Sequence, residues 1–168
     1  SIMAVGLAGC GNSATKKEDT GVLDSIKESG KLVVGLSADY APYEFHIIEN
    51  GQDKIVGFDV SLAKEIADEL DVELEIKEMD FDALITALPA GKVDMVISGM
   101  NPTEKRKKAV DFSDIYYTAN HGILVKAEDA DKYTNFSDLD GLKVGAQLGS
   151  TQAELASTLI KDANLQLL

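Results

Sequence analysis

From residue 22 onward the apolar positions recur with two alternating periods. Val22, Leu23 and Ile26, followed by Ser29 and Gly30, predict a short amphipathic helix. Residues 31–36 (KLVVGL) form a compact apolar run that predicts a buried strand. A loop containing Pro42 follows over 37–43. Residues 45–48 and 54–57 then flank an Asn50-Gly51 pair, the signal of a hairpin. Asp59 is expected to cap a helix carrying Leu62, Ala63, Ile66, Ala67 and Leu70 at spacings of three and four. Alternation over 72–79 predicts a second strand, and a helix starting near Asp80 carries Leu84, Ile85 and Leu88. The apolar run 93–98, interrupted by Asp94, predicts a third strand. Strands alternating with helices argue for a parallel sheet. Further on, 110–112 and 115–117 read as short extended pieces, and 122–126 as another strand. A new strand–helix unit follows, with strand 143–147, a turn at Gly149, helix 150–163 and the opening of a strand at 165–168.

The most informative stretch begins where the third strand ends, at Ser98-Gly99-Met100-Asn101, and reaches Arg106 through Pro102 and Thr103. Ligands in open α/β sheets sit beyond the carboxyl ends of strands. Small residues at 98, 99 and 101 let backbone N–H and C=O groups approach a ligand without side chains intervening. Arg106 adds a planar fork that matches a carboxylate or phosphate with two parallel bonds. Together these parts describe a site for a small zwitterion or anion. Taken alone, Arg106 also fits a surface arginine in the basic turn 105–108, and the lysines beside it read as a solvated helix face.

Charge and composition narrow the field. The formal net charge of −13 and pI near 4.4 argue against non-specific nucleic-acid binding, which needs a basic surface. Apolar content of 45 % with 27 % charged residues places the 168-residue chain among globular proteins with an adequate core. His46 and His121 lack metal-ligand spacing, and no GxSxG, Walker or CxxC pattern occurs, so neither a cofactor nor a metal is expected. The single cysteine excludes an internal disulfide framework. Its setting, Leu7-Ala8-Gly9-Cys10 behind an apolar stretch and ahead of the polar tether 11–20, resembles the end of a secretory signal with the lipobox of a bacterial lipoprotein. A small buried cysteine in a first strand is the competing reading. The sequence lacks an initiator methionine and a basic leader region, so it is expected to begin inside the signal peptide.

Five motifs, in series behind that lipobox, carry a resemblance over residues 22–168. They are VGLSADYAPYEF (34–45), GFDVSLAK (57–64), MDFDALI (79–85), the run 98–113, and GLKVGAQLGST (141–151). In this order they resemble the amino-acid-binding lipoproteins of ABC importers, the two-lobed type II solute-binding proteins. The resemblance implies an α/β fold, periplasmic-binding-protein-like type II, with a mostly parallel sheet and flanking helices in the first lobe and the second lobe only begun. It implies a partial signal peptide, lipobox and tether over 1–20, the N-terminal segment of the first lobe over 21–124, and a crossover with the start of the second lobe over 125–168. Truncation at both ends is expected. The family's ammonium-binding aspartate would then fall beyond residue 168, and the chain as written would bind weakly or not at all.

Carried over residue by residue, Arg106 matches the arginine that binds the ligand's α-carboxylate. Ser98, Gly99, Met100 and Asn101 match the polar or backbone groups around its ammonium and carboxylate, although Asn101 departs from the commoner serine or threonine. Tyr40 and Phe81 match the pair that sandwiches the ligand side chain. Without the resemblance Phe81 reads as core. Gly149, Ser150 and Thr151 open the second-lobe helix, whose N–H groups attract the same carboxylate and equally suit ordinary N-capping. The function implied is extracytoplasmic capture of a free amino acid between two lobes, by closure, and its delivery to a membrane ABC permease. The protein would be a monomer tethered to the bacterial membrane by lipid on Cys10, with no catalytic role. A polar ligand such as glutamine is expected first, with cystine, histidine and arginine as alternatives. Ser37 is neutral where some relatives carry an aspartate, which disfavours a strongly cationic ligand unless Asp39 compensates. The rival expectations are a receptor's ligand-sensing domain and a periplasmic dehydratase-like enzyme on the same fold.

Overall fold

A computed structural model describes residues 21–168; Cys10 and the tether expected around it lie outside the described residues. The first strand, β1 (Lys31–Leu36), follows helix α1 (Val22–Ser29), which ends at Gly30 in the left-handed region with its N–H on the Ile26 carbonyl. After β1 come a two-residue strand β2 (Asp39–Tyr40) and the hairpin strands β3 (Glu44–Glu49) and β4 (Gln52–Val56). Asn50 and Gly51, both with positive φ, form the two-residue turn between them, as the Asn-Gly pair predicts. Helix α2 (Phe58–Leu70), strand β5 (Glu73–Glu78), helix α3 (Phe81–Ala87) and strand β6 (Met95–Val96) complete the first half. Strand β7 (Lys143–Ala146), helix α4 (Thr151–Leu159) and strand β8 (Asn164–Leu167) form the later unit.

Three sheets result among the described residues. β1 lies at the centre of a parallel sheet of order β5-β1-β6, β2-β3-β4 is antiparallel, and β7 pairs β8 in parallel. The period-two pattern of β1 puts Leu32 and Val34 wholly inside, packed with Ile26, Ala63, Ala67 and Ile97. On its opposite face a methyl group at Gly35 would meet Leu84 and Val93 at 3.2 Å, so the missing side chain admits α3 closely. A smaller apolar cluster of Leu139, Ala156 and Ile160 holds α4 against β7 and β8.

Four expectations change. The third strand is shorter than 93–98, although Asp94 N–H to the Val33 carbonyl and Ile97 N–H to the Gly35 carbonyl extend its bonding at both ends. The strand expected over 122–126 does not form. A strand needs a neighbour for its N–H and C=O groups, and none lies beside this exposed segment among the described residues; Leu124 is 98 % exposed. Helix α4 stops at Leu159 because the chain turns to meet residues 140–141: Lys161 N–H bonds the Asp140 carboxylate and Gly141 N–H the Lys161 carbonyl. Asp59 does not cap α2 either. Gly57 occupies the N-cap, and Asp59 is a wholly buried first-turn residue.

Gly57 fixes where α2 begins. Its φ of 134° lies in the region that favours glycine, and a Cβ there would fall 2.1 Å from the Tyr43 carbonyl oxygen. The close approach lets Phe58 and Asp59 N–H groups bond the Pro42 and Tyr43 carbonyls, strapping the turn between β2 and β3 to the helix start. Gly57→Ala is therefore expected to destabilise the protein by at least about 1–3 kcal/mol, the range for forcing a side chain into sparsely allowed backbone. Urea unfolding of both forms measures it.

A polar clip joins two of the sheets. His46 on β3 faces Asp53 through Nδ1 at 3.0 Å and Glu78 on β5 through Nε2 at 2.9 Å. Bonding to Glu78, then to Asp53, raises the imidazole pKa above its ordinary value of 6.5. Because the folded value is the higher one, the clip's stabilisation is complete below pH 6.5 and is lost as pH rises through the raised value. His46→Gln should flatten that part of a stability–pH curve, and added salt should shrink the difference, since the group is solvent-exposed.

Candidate functional site

The carboxyl ends of β1 and β6 open into a narrow cleft whose far wall is the α4 N-terminus. Of the residues singled out in sequence, Tyr40, Phe81, Ser98, Gly99, Asn101, Arg106 and Thr151 line it together. Glu44, Gln147 and Gln152 line it too, and sequence reasoning passed over all three.

Arg106 sits in a short 3₁₀ turn (Arg106–Lys108) that returns the chain to the cleft, with its N–H on Thr103 Oγ1. The guanidinium donates through Nη1 to the Asn101 carbonyl and through Nη2 to the Gly149 carbonyl, both at 2.9 Å, so its two arms reach opposite walls. It lies 5.4 Å from the Phe81 ring centroid, a cation–π arrangement that places Phe81 in the cleft and not in the core. Burial draws the guanidinium pKa down from its ordinary value. Asn101 Nδ2 donates to Thr151 Oγ1 at 3.0 Å, and Gln147 Nε2 donates to both Asp39 oxygens at 3.0 Å. These three contacts form the seam between the two halves.

The remaining predicted residues sit beside the cleft. Met100 is half-buried next to it. Gly149 contributes its carbonyl to Arg106 and passes so close to α3 that a Cβ would meet that of Asp82 at 2.9 Å. Ser150 is buried and caps α4: its Oγ accepts from Ala153 N–H and donates to the Gln147 carbonyl. The N–H groups of this helix start, with its dipole, suit an anion.

Beneath the cleft lies a polar floor. Ser98, 2 % exposed, donates through Oγ to Glu44 Oε1 at 2.6 Å and accepts from Ser37 N–H at 3.1 Å. Gly99 N–H donates to Asp59 Oδ2 at 2.7 Å, and the Tyr116 hydroxyl donates to the same carboxylate at 3.1 Å. Glu44 is 1 % exposed, and among the described residues no donor reaches its Oε2. Desolvation, with Asp59 alongside, pushes its pKa up to about 9. The Tyr116 phenol is likewise raised, by burial first and then by the Asp59 charge. The available signal for Glu44 was a charged residue enclosed by aromatics in Tyr43-Glu44-Phe45, directly after the ligand-facing loop.

Tyr40 is stacked on Tyr43 at 5.1 Å, and Tyr43 in turn meets Phe58 and Tyr117 edge-on. Gly99, at φ +52°, brings its Cα under the Tyr40 ring, where a Cβ would touch Cε1 at 3.4 Å. Among the described residues no group of three His, Cys, Asp or Glu side chains is arranged to hold a metal, and no helix is long and apolar enough to cross a membrane.

A parallel α/β unit with a cleft at its strand ends, walled by a second unit and lined by an arginine, aromatic rings and small polar residues, defines a solute-binding protein. Residues 32–165 match the model of the bacterial extracellular solute-binding proteins, family 3, and the chain belongs to that family. It is 48 % identical over 155 residues to the arginine-binding extracellular protein ArtP of Bacillus subtilis, covering 91 % of this chain and 54 % of that protein. Among solved structures, the amino acid ABC transporter substrate-binding protein AbpA of Streptococcus pneumoniae, bound to L-arginine, aligns with a TM-score of 0.84 at 45 % identity, over 86 % of this chain and 61 % of that one. The ancestral amino acid-binding protein AncCDT-1, a precursor of cyclohexadienyl dehydratase, aligns at 0.83 and 45 % identity, over 88 % and 65 %. The chain thus spans about half the length of its curated relative. The family places it outside the cytoplasm.

Ser98 is the hinge of the polar floor, and removing its hydroxyl strands two buried groups. Ser98→Ala is expected to cost roughly 1–3 kcal/mol, the range for an unsatisfied buried polar group, in chemical denaturation. Ser98→Thr, which keeps the hydroxyl, should recover part of it.

Proposed function

We propose that this chain carries the ligand-gathering half of an amino-acid receptor serving an ABC importer, which captures a free amino acid and hands it to a membrane permease. Arg106 carries the reading. Its fork spans the two walls, bonding Asn101 on one and Gly149 on the other, and an α-carboxylate between Arg106 and the α4 N-terminus would draw both walls onto itself. Charge-assisted bonds of this kind contribute on the order of 1.5–3 kcal/mol each. Residues 21–124 then act as the N-terminal segment of the first lobe, and 125–168 as the crossover and start of the second. Lipid on Cys10 would hold a monomeric receptor at the outer face of the bacterial membrane.

The ligand we propose is a cationic amino acid, arginine before glutamine. The cleft offers Glu44 to a side chain stretched between Tyr40 and Phe81, with Asp39 bonded to Gln147 of its lining, and Arg106 is the one cation lining it among the described residues. Asp39 supplies the charge that Ser37 lacks. The arginine-bound relative and the arginine-binding name of ArtP support this choice.

A second reading rests on one observation: Glu44 is a carboxyl in the cleft that stays protonated near neutral pH, which is what acid-assisted elimination would require. Loss of a cyclohexadienyl substrate incubated with the protein would favour it; an unchanged substrate alongside amino-acid binding would leave the receptor reading standing.

A thermal-shift screen of the full-length gene product against the twenty amino acids is the direct test. Arginine is expected to raise the melting temperature most, and Arg106→Ala to abolish the shift. A panel with no shift, or an unchanged shift in the variant, would overturn the proposal.

A further inference from the structure

Two buried carboxyl groups meet under the cleft without a cation to neutralise them. Glu44 from β3 and Asp59 from α2 are 1 % and 0 % exposed. They are bonded to consecutive residues of one loop, Glu44 to Ser98 and Asp59 to Gly99, which sets them side by side. Asp59 is the better supplied, with the Gly99 N–H, the Tyr116 hydroxyl and a place in the first turn of α2. Among the described residues Glu44 receives only the Ser98 hydroxyl, and no donor reaches its buried second oxygen while the residue lines the cleft.

The charged and titratable groups facing Glu44 are Asp39 from β2, Asp59 from α2 and Tyr116 from the segment after residue 110. None is a cation. Arg106, across the cleft, spends both arms on carbonyl oxygens. Among the described residues, no salt bridge reaches Glu44, Asp59 or Asp39.

From this geometry we infer that Glu44 keeps a proton beside Asp59 in the empty cleft, and that a cationic ligand side chain displaces it, so that capture is a cation-for-proton exchange. The inference rests on the amino-acid reading above. The exchange is balanced: the ligand enters with its positive charge, the Glu44 proton leaves to solvent, and the net charge of the enclosed site is unchanged. No bond other than O–H is broken. The high Glu44 pKa accords with a proton retained at neutral pH until a cation arrives. A neutral side chain such as a carboxamide has no charge to exchange and would bond to the protonated Glu44 without releasing anything. The pair thereby distinguishes ligands by charge, and makes affinity for a cation rise with pH.

The pair also tilts the stability of the unliganded protein. Glu44 binds its proton in the folded state between its ordinary value, 4.5, and about 9. The folded form is the greater proton binder over that window, so stability falls as pH rises through it.

Two measurements on the full-length protein test the exchange. The first is a carbon NMR titration of side-chain carboxyls without ligand, assigned with Glu44→Gln; Glu44 is expected to titrate far above the carboxylate range. The second is calorimetry of arginine binding at pH 7.5 in phosphate and in Tris, whose heats of protonation differ. About one proton released per arginine is expected, with Kd falling about tenfold per pH unit between pH 6 and 8. Glutamine should release none, and Glu44→Gln should lose both the release and the pH dependence for arginine. An ordinary Glu44 titration overturns the inference whatever binds, as does arginine binding with equal heats in both buffers and a constant Kd. If Glu44 titrates high yet no cationic amino acid binds, the proposed function has failed and the exchange falls with it.

Discussion

The buried carboxylate of Asp59 is the constraint on which the cleft is built. It accepts from the backbone of Gly99 and from Tyr116, residues 40 and 57 positions away, and so fixes the loop after β6 and the segment after 110 to the start of α2. That helix start is itself held against the turn between β2 and β3 by the approach that Gly57 permits. Glu44 then meets Ser98 within the space those ties define. Three separate stretches of chain are thus gathered on one buried acidic locus at the start of α2. A buried carboxylate left unpaired would be costly. Here the cost is offset by N–H and O–H donors for Asp59 and, for Glu44, by a proton.

Much of this was readable before any coordinates. The compact apolar run 31–36 marked β1, the three-and-four spacing of Leu62, Ala63, Ile66 and Ala67 marked α2, and Asn50-Gly51 marked the hairpin turn, because each pattern depends on local geometry alone. The residues after β6 were readable for a similar reason, since small side chains followed by an arginine limit what a strand end can do. The run 122–126 misled because apolar character measures a residue's wish for burial and carries no information about which neighbour supplies its ladder. Asp59 misled in another way: an acid at a helix start usually caps it, and only the fold reveals that a distant N–H has claimed the side chain.

Glu44, Gln147 and Gln152 escaped notice because polar residues in a pattern read as solvent-facing. Only its aromatic neighbours Tyr43 and Phe45 set Glu44 apart from Glu49 five residues on, yet one is enclosed and the other exposed. The Gln147–Asp39 bond joins residues 108 positions apart and lies beyond any local reading.

The polar contacts across the seam between the two walls lie, among the described residues, at its rim: Gln147 to Asp39, Asn101 to Thr151, Arg106 to Gly149. Water can replace every partner in that seam, and each such bond contributes only about 0.5–1.5 kcal/mol net, or more where a charge takes part. A rim of this kind latches lightly. Under the proposed function, how long a captured molecule stays would then be decided by its own grip on the interior more than by the door, so residence time would become a property of the guest.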